Sequence, residues 1–424
     1  MSDYMFMLEN HLTAAQNRVL AEVRKAALDA NVNVFLTGGA VRDMLGGFPI
    51  RDLDFTVEGN AVKLAKTVAD ALGAEILETD ANRKTVELLS PEGVAFEIGM
   101  ARTERYTKTA GKPHVTPATI QEDLQRRDLT INALALSLNR GSRGLLLDPT
   151  NGMGDLDRKE LRNTGNYVFY DSPVRLLRLG RFRTRLNFTI AEKTELHYRN
   201  AREAEIEKFI TKEELLQELR QAALEPNVSE LLQTWDEEKL LRLVSPALTG
   251  AALNLGSFTK LQKFRQSLPF GIDMVTDEPA LFFSILTEKL TPKDRAHIAE
   301  LDSANSASWL KLGARAAKLE KDISVATLHR PSKIYGVLSK APGEQILYLE
   351  VHSQHRVVQD RIRNYLQKYL PAAQEITDQQ VIEAGYTAGT PKLEKAKAEM
   401  ISKRLDARPP KKPDAEAEAE AEIA

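Results

Sequence analysis

The chain has 424 residues, enough for about two to four domains with sizeable cores. It contains no cysteine, which excludes disulfides, thiolate zinc sites and cysteine nucleophiles. The formal net charge of −2 argues against a protein that coats nucleic acid with its whole surface. No apolar run approaches the roughly 18 residues that a membrane-spanning helix needs, and the N-terminal residues lack the basic and apolar regions of a signal peptide. We therefore expect a cytoplasmic protein without a membrane partner, and the sequence leaves its oligomeric state open.

Helical and strand signals alternate over residues 1–139. Thr13 is typical of a helix N-cap, and the residues after it have helical spacing. A β-rich run, VNVFLT, precedes a second helical run, AVRDML, and a third helix is predicted to end at Gly73. The runs AEILET, TVELLS and VAFEIGM have the composition of strands. Residues 102–119 contain two prolines and a glycine and predict a mobile loop.

A glycine pair separates the first β-rich run from the helix that follows it. Gly38 and Gly39 have no side chains, so a phosphate can approach the backbone, and the free N–H groups of a helix N-terminus attract an anion. Arg42, in the first helical turn, can add a charge-assisted contact to phosphate. The pattern matches neither of the two common glycine-rich phosphate motifs. It indicates a phosphate site or, as the simpler alternative, a tight strand–helix turn beside a surface arginine.

Two aspartates lie one residue apart in RDLDFTV, which alternates charged and apolar residues as a half-buried strand does. Side chains at positions i and i+2 share one face of a strand, so Asp52 and Asp54 are predicted to project together. Neighbouring carboxylates repel each other unless a cation lies between them, and Mg²⁺ is held by one or two carboxylates together with substrate phosphates. Glu97 lies on a later strand, opposite in phase to its apolar neighbours, and is a candidate third metal ligand. Solvated strand residues are the alternative for all three.

Strand signals fade after Asn139, and nearly all residues to Arg408 have helical spacing. The last residues are rich in alternating Ala and Glu and are predicted to be disordered. The predicted fold class is therefore α+β, with a small mixed-sheet head followed by a helical remainder.

Basic residues are concentrated between residues 158 and 185, where eight cations face two acids and give a local charge of +6. Such a patch can bind a phosphate backbone, although a helical face with partners inside the chain has the same composition. The arginines of this patch are Arg158, Arg162, Arg175, Arg178, Arg181, Arg183 and Arg185.

Three further motifs follow in chain order: RRDLTINAL at 126–134, DPTNGMGDLDRKELR at 148–162 and DSPVRLLRLGRF at 171–182. Together with LTGGAVRDML and the aspartate pair, they resemble the motifs of the class II tRNA nucleotidyltransferase and bacterial poly(A) polymerase family, which includes the CCA-adding enzymes. The resemblance covers residues 12 to about 190, and residues 377–405 are weakly similar to the family's terminal helical segment. Without the other motifs, RRDLTINAL would be interpreted as a capped helix with paired charges.

The resemblance implies a nucleotidyltransferase head and an all-helical neck, body and tail. The corresponding ranges are 1–139 for the catalytic head, 140–225 for a neck that binds the nucleotide base and RNA, 226–370 for the body, 371–405 for a tail that binds tRNA, and 406–424 for the disordered acidic tail.

The resemblance also implies roles for single residues. Asp52 and Asp54 would hold two Mg²⁺ ions, one activating the RNA 3′-hydroxyl and one neutralising the triphosphate. Asp128 would favour a ribonucleotide over a deoxyribonucleotide, because only the 2′-hydroxyl can donate to its carboxylate. The turn residues Gly38, Gly39 and Arg42 would seat the triphosphate, and Arg126, Asp128 and Asn132 would contact the ribose and the triphosphate.

The last of the motifs departs from the family pattern E-D-x-x-R, whose aspartate and arginine pair with the incoming base. Alignment on PVRLLR puts Asp171 at the glutamate, Ser172 at the aspartate and Arg175 at the arginine. A carboxylate accepts from amino groups and a guanidinium donates to ring nitrogen and carbonyl oxygen, whereas serine is short and uncharged. Asp171 is therefore a candidate substitute carboxylate, and Arg178 is a further candidate for the nucleotide pocket.

These motifs predict an enzyme that adds C, C and A to tRNA 3′ ends from CTP and ATP, with Mg²⁺ as cofactor and pyrophosphate as product. Poly(A) polymerase, CC-adding and A-adding activities share the same phosphate and metal chemistry and stay open as alternatives. The alternative from another class is an RNA-binding protein whose head no longer catalyses, and the intact pair of Asp52 and Asp54 argues against it.

Overall fold

The computed structural model describes residues 4–272 and 274–407. The chain divides into two compact units, Met1–Glu218 and Leu219–Ala424. The predicted disordered tail at 406–424 lies outside the described residues from 408 onward. The functional ranges predicted for the neck, body and tail stay predictions.

The first unit contains a mixed seven-stranded sheet, and Asp54 and Glu97 lie opposite each other on its two parallel strands. Its strands are β1 (Asn33–Thr37), β2 (Leu53–Glu58), β3 (Glu75–Asp80), β4 (Thr85–Leu89), β5 (Ala95–Met100), β8 (Ala135–Ser137) and β9 (Leu146–Leu147), while β6 (Arg102–Arg105) and β7 (His114–Pro117) form a separate hairpin, and β10 (Glu160–Leu161) and β11 (Thr189–Ile190) a second small pair. The order in the large sheet is β3-β4-β5-β2-β1-β8-β9. Strands β2 and β5 are parallel, and the other neighbouring pairs are antiparallel.

Helices pack against this sheet and continue beyond it. They are α1 (Tyr4–His11), α2 (Ala14–Asp29), α3 (Gly39–Gly46), α4 (Ala61–Leu72), α5 (Ile120–Gln125), α6 (Gly152–Asp157), α7 (Val168–Asp171), α8 (Arg175–Leu186), α9 (Glu192–Glu203) and α10 (Lys212–Ala223), with 3₁₀ turns at Thr130–Asn132 and Ile206–Phe209.

Local signals in the sequence explain where these elements begin and which face they bury. The predicted N-cap is confirmed, because the N–H of Gln16 donates to Thr13 Oγ1 (3.2 Å) and the N–H of Thr13 donates back to Gln16 Oε1 (2.9 Å). The predicted end of α4 is confirmed at Gly73, which has φ +66°. Alternation along β2 buries Leu53 and Phe55 in the core of the sheet. It therefore turns Asp54 to the opposite face.

Two predictions for this unit are wrong. Strands do not end at residue 139, because β9 pairs with β8 at the edge of the large sheet. Residues 102–119 are not a loop throughout, because β6 and β7 pair in antiparallel register. The hydroxyls of Thr103 and Thr116 meet across this hairpin at 2.6 Å, and Glu104 accepts from Arg102 Nε at 2.8 Å. Such pairwise contacts stabilise strands whose composition is typical of a loop.

In the described residues of the second unit, every regular element is a helix. Its helices are α11 (Val228–Glu237), α12 (Leu255–Gln266), α13 (Glu278–Thr287), α14 (Pro292–Leu301), α15 (Ser306–Leu310), α16 (Leu312–Ser324), α17 (Pro331–Leu338), α18 (Gly343–His352), α19 (Arg356–Asn364), α20 (Leu370–Gln374), α21 (Asp378–Glu383) and α22 (Pro391–Asp406), with 3₁₀ turns at Leu240–Leu243 and Gly250–Leu253 and a π-helical turn at Tyr365–Tyr369. Across the described parts of both units, no helix is long and apolar enough to cross a bilayer.

Candidate active site

The predicted strand–glycine–helix turn forms between β1 and α3. Gly38 has φ +68° and ψ −126°, a backbone conformation that glycine adopts without strain, and its N–H donates to Leu134 O at 3.0 Å. A Cβ at this position would lie 2.9 Å from Arg127 Nη1 and 3.6 Å from Asp54 Oδ2. The first amides of a helix have no intrahelical partner, so the start of α3 offers N–H donors beside these two side chains.

The carboxylates of Asp54 and Glu97 are neighbours across the parallel strands. Residue 54 on β2 faces residue 97 on β5 on one side and Thr37 on the other. Burial, with the charge of Asp52 in support, raises the pKa of Asp54 to about 6 against the opposing effects of Arg127 and other arginines. Burial and the charge of Asp54 raise the pKa of Glu97 to about 7. Two carboxyl groups thus share a poorly solvated face.

Asp52 differs from its predicted position, because β2 begins at Leu53 and the exposed Asp52 precedes the strand. The surrounding protein still limits the hydration of its carboxyl group, which raises the pKa of Asp52, with Arg51 and Arg185 acting in the opposite direction. Its charge contributes to the raised pKa of Asp54, so the two carboxylates are within electrostatic reach.

The donor set of this face fits a divalent cation. Among residues 4–272 and 274–407, no three His, Asp or Glu side chains are grouped so as to hold a metal ion by themselves. Mg²⁺ does not require such a cage, because it is commonly held by one or two carboxylates while phosphates and water supply the other ligands. A cation would also offset the repulsion between the buried carboxylates of Asp54 and Glu97.

The side chain of Arg42 lies next to the glycine turn, and its guanidinium already donates hydrogen bonds inside the protein. Its side chain is 2% exposed, its Nε donates to Asp43 Oδ1 at 2.8 Å, and its Nη1 donates to Asn132 Oδ1 at 2.6 Å. Asp43 also accepts from Arg185 Nη2 at 2.8 Å. The predicted contact of Arg42 with the triphosphate stays a prediction, and in the structure Arg42 connects α3 to Asn132.

The network continues from Asn132 to Asp128 and on to α8. Asn132 Nδ2 donates to Asp128 Oδ1 at 3.1 Å, and Arg178 Nε donates to Asp128 Oδ2 at 2.9 Å. Burial alone would raise the pKa of Asp128, but Arg178 and Arg175 outweigh it and hold that pKa far below its usual range. The carboxylates of Asp128 and Glu218 in turn raise the pKa of Arg178. Asp128 is therefore a buried carboxylate that stays ionised.

The two arginines that follow α5, Arg126 and Arg127, make different contacts. Arg126 Nε donates to Arg102 O at 2.9 Å, and its Nη2 donates to Asp123 Oδ1 at 2.5 Å. Arg127, which the sequence analysis left out, carries the positive charge that most strongly opposes the raised pKa of Asp54. Asp123, also left out, accepts from both arginines. The signal that could have found them is the i, i+3 and i, i+4 spacing of Asp123 to the two arginines on a helix end.

The residues predicted to choose the base lie where α7 ends and α8 begins. Arg175 donates from Nη1 to Val168 O at 3.3 Å and from Nη2 to Arg126 O at 3.1 Å. Burial raises the pKa of Asp171, and the charge of Arg175 opposes the rise. The side chains of Asp171 and Ser172 make no hydrogen bond to any residue that the structure describes. Asp171 therefore keeps an unused acceptor beside Arg175.

Most of the basic patch at 158–185 has acidic partners inside the chain. Arg183 is exposed and forms no ion pair with the residues described by the structure. The interpretation as a helical face with internal partners therefore fits most of the patch, and binding of a phosphate backbone stays a prediction. The pairs are Arg158 and Arg162 with Asp155, Arg178 with Asp128, Arg181 with Glu218, and Arg185 with Asp43.

Comparisons with known proteins show which sequences and folds this chain is similar to. Residues 34–162 match the poly A polymerase head domain. An A-adding tRNA nucleotidyltransferase of Halalkalibacterium halodurans is 38% identical over 194 residues, which are 46% of this chain and 45% of the relative. A multifunctional CCA protein of Stenotrophomonas maltophilia is 33% identical over 273 residues, 62% of this chain and 61% of the relative. The solved structure of a tRNA nucleotidyltransferase complexed with a primer tRNA and an incoming ATP analog is 28% identical, with a TM-score of 0.55 over 82% of this chain and 98% of that chain.

The matched regions cover 45%, 40% and 22% of the first A-adding relatives, so the chain spans less than half the length of these proteins. The head-domain match runs from β1 to Arg162 and includes the glycine turn, the carboxylates of β2 and β5, and the arginine pair after α5. The mixed-sheet head, the helical remainder and the ordered motifs lead to one conclusion. Residues 34–162 are a poly A polymerase head domain, and the chain is similar to the class II tRNA nucleotidyltransferase and bacterial poly(A) polymerase family.

Proposed function

We propose that this protein transfers nucleotides from CTP and ATP to the 3′ end of tRNA, builds a CCA terminus and releases pyrophosphate. One observation carries the proposal: the carboxylates of Asp54 and Glu97 lie side by side, and Asp54 Oδ2 borders the backbone of Gly38. A donor set suited to a divalent cation thus adjoins a turn suited to phosphate, and phosphoryl transfer needs both.

Enzymes of this family generally use a divalent metal ion. Here Asp52 and Asp54 would hold Mg²⁺, with Glu97 beside them, and the bound ion would neutralise charge on the phosphates and on the attacking oxygen. The other tasks belong to the chain itself. The first amides of α3, with Gly38 and Gly39, offer donors to the triphosphate.

Asp128 has room for one further hydrogen bond. An ionised carboxylate has about four acceptor sites, and Asp128 accepts from Leu129 N, Asn132 Nδ2 and Arg178 Nε. The remaining site suits the 2′-hydroxyl of an incoming ribonucleotide, and a deoxyribonucleotide would leave it unused. We therefore assign the preference for NTP over dNTP to Asp128.

Base choice is proposed to rest on Arg175 and Asp171. The guanidinium of Arg175 donates hydrogen bonds to two backbone carbonyls. Its positive charge opposes the rise that burial causes in the pKa of the neighbouring Asp171. A guanidinium and a carboxylate together can pair with the Watson–Crick edge of cytosine or adenine. Asp171 would thus supply the carboxylate that Ser172 lacks.

Addition of A alone is the second candidate function. The A-adding relative of Halalkalibacterium halodurans is 38% identical, and Ser172 stands where a base-pairing aspartate is expected. A pocket with one fewer carboxylate could serve a single base, because it would not have to accept cytosine and adenine in turn.

One experiment separates these functions. Three tRNA transcripts, ending before the CCA, after one C and after both C residues, are incubated with each labelled NTP and with CTP and ATP together. The proposal expects C on the first two transcripts and A on the third. Addition of A to the third transcript alone replaces it with the A-adding function, and runs of A on any RNA replace it with poly(A) synthesis. No incorporation by wild type, in a preparation that binds tRNA, favours the non-catalytic RNA-binding protein.

A further inference from the structure

We propose that Asp123 and Arg127 form a pair in which Asp123 positions the guanidinium of Arg127 against the phosphoryl group that is transferred. Neither residue has a role in the assignments drawn from the motifs. The inference rests on the proposed function, because it names the side chain that contacts the reacting phosphate. Arg127 would be a catalytic residue, and Asp123 would be a positioning residue.

Asp123 is built to hold a guanidinium in one orientation. The residue is 0% exposed, and its Oδ2 accepts from Arg127 Nε at 3.2 Å and from Arg127 Nη2 at 3.0 Å. Its Oδ1 accepts from Arg126 Nη2 at 2.5 Å and from the backbone N–H of Arg102 at 3.2 Å. Burial alone would raise the pKa of Asp123, but Arg127 and Arg126 outweigh it and keep that pKa below its usual value. The carboxylate of Asp123 is therefore ionised, and both of its oxygens accept hydrogen bonds.

Arg127 Nη2, which contacts Asp123, also contacts two strands of the large sheet. This nitrogen lies within hydrogen-bond distance of Thr37 Oγ1 on β1 (3.1 Å) and Thr56 Oγ1 on β2 (3.2 Å), so its two N–H groups are shared among these hydroxyls and Asp123 Oδ2. Two contacts to Asp123 and two to hydroxyls leave the side chain little rotational freedom. A guanidinium fixed in this way loses little entropy when a further ligand binds to it.

The opposite corner of Arg127 is unused and faces the turn. Its Nη1 makes no hydrogen bond to any residue in the described part of the chain. This atom lies 2.9 Å from the place where a Cβ on Gly38 would stand, and Asp54 Oδ2 lies 3.6 Å from the same place. Although they line one notch, Arg127 and Asp54 form no ion pair with each other. A phosphoryl oxygen in this notch would have Nη1 as a donor on one side.

The proposed reaction requires such a donor. The 3′-oxygen of the RNA forms a bond to the α-phosphorus, and the bond from that phosphorus to the bridging oxygen of the β-phosphate breaks. Pyrophosphate leaves with the electron pair, and the hydroxyl proton passes to solvent. Charge on the non-bridging α-oxygens is shared with a donor that is already oriented, so the donor does not have to reorganise during the reaction.

The first test measures transfer in four variants of the full chain. Arg127→Ala is expected to lower kcat by about 100- to 1000-fold, as removal of one preoriented donor does. Asp123→Asn keeps the shape but not the charge, and Arg127→Lys has one ammonium in place of a fork, so each is expected to lose about tenfold or more. Arg140→Ala is the matched control, because Arg140 is exposed and has no ion pair among the described residues. Added methylguanidinium should restore part of the rate in Arg127→Ala and none in Asp123→Asn.

The second test measures NTP binding by calorimetry in EDTA, where neither catalysis nor metal contributes. Arg127→Ala should bind NTP about threefold to tenfold more weakly than wild type, and Arg140→Ala should bind like wild type. If wild type transfers no nucleotide but Arg127→Ala still loses affinity, the proposed function fails and the pair stands. If wild type is active and Arg127→Lys keeps its kcat and its NTP affinity, the pair is overturned and the function stands. The lysine variant decides the matter even if the alanine variant does not fold.

Discussion

Two glycines at opposite ends of α3 allow the role of the turn to be separated from backbone strain. Gly38 precedes the helix with φ +68°, and Gly47 follows it with φ +70°. A Cβ on Gly38 would stand 2.9 Å from Arg127 Nη1, whereas a Cβ on Gly47 would meet no atom within 4 Å. Gly38→Ala and Gly47→Ala therefore share a positive φ, and only the first introduces an atom into the proposed phosphate site.

The expected stability effects follow from the two backbone conformations. Gly47, with ψ 23°, lies in the left-handed helical region, where a side chain costs roughly 1–2 kcal/mol. Gly38, with ψ −126°, lies in a region that residues with a Cβ rarely enter, so the cost there is about 1–3 kcal/mol before the contact with Arg127 is added. Both variants should fold, with Gly38→Ala the less stable in urea unfolding.

Activity should distinguish the variants far more than stability does. Gly47→Ala is expected to keep kcat/KM within about twofold of wild type under conditions where it is folded. Gly38→Ala should lose at least about 100-fold, equivalent to roughly 2.7 kcal/mol of transition-state stabilisation, because its Cβ occupies the notch and displaces Nη1. The measurement is incorporation of labelled nucleotide into tRNA, with the folded fraction of each variant fixed from its unfolding curve. Equal activities in the two variants would refute the assignment of the turn as the phosphate site.

Four further outcomes are expected. Asp54→Asn should abolish transfer yet unfold in EDTA at pH 7.5 no more easily than wild type, because a carboxyl with a pKa raised to about 6 destabilises the fold once it ionises; lower stability would contradict this. Arg183→Ala should reduce the salt dependence of tRNA binding by a little under one unit in a log–log plot, and an unchanged slope would remove Arg183 from the RNA surface. Asp171→Ala should harm the selection of CTP and ATP over UTP and GTP more than Ser172→Ala does, by about tenfold or more, and the reverse order would return the template to residue 172. In the folded protein, Arg126 and neighbouring hydrogen bonds lower the pKa of Glu104 to about 2 despite its burial. The stability difference between wild type and Glu104→Gln should therefore be full above about pH 5 and shrink as the pH falls below 4.5. A difference independent of pH would contradict the ion pairs.

Periodicity and turn chemistry predicted the parts of the site that are local in the sequence. The strand, glycine turn and helix from β1 to α3 occur at their predicted positions, and Asp54 lies on the face opposite to Leu53 and Phe55. The phase of Glu97 also predicted a side chain away from the core. The pairing of β2 with β5 brings Glu97 beside Asp54, and no short-range signal could specify that register.

Long-range ion pairs account for most of what the sequence did not reveal. The composition of residues 158–185 is typical of a cationic surface patch. In the structure, however, Arg185 pairs with Asp43, 142 residues away, and Arg181 pairs with Glu218, 37 residues away. A count of charges within a window cannot detect such partners. The same limitation hid Arg127, whose contacts to Thr37 and Thr56 join residues 90 and 71 positions apart.

These buried pairs are better explained by orientation than by stability. A buried ion pair often stabilises a fold no more than well-packed apolar side chains do, because both charges must leave water, whereas removal of one partner is costly. In this protein hydrogen bonds connect Arg42 through Asn132 to Asp128, and Asp128 forms an ion pair with Arg178. At each step the carboxylate or amide is held by fixed donors, and Asp128 retains one acceptor site. The network therefore sets the position of a proposed ribose contact relative to the glycine turn, which an apolar core could not do.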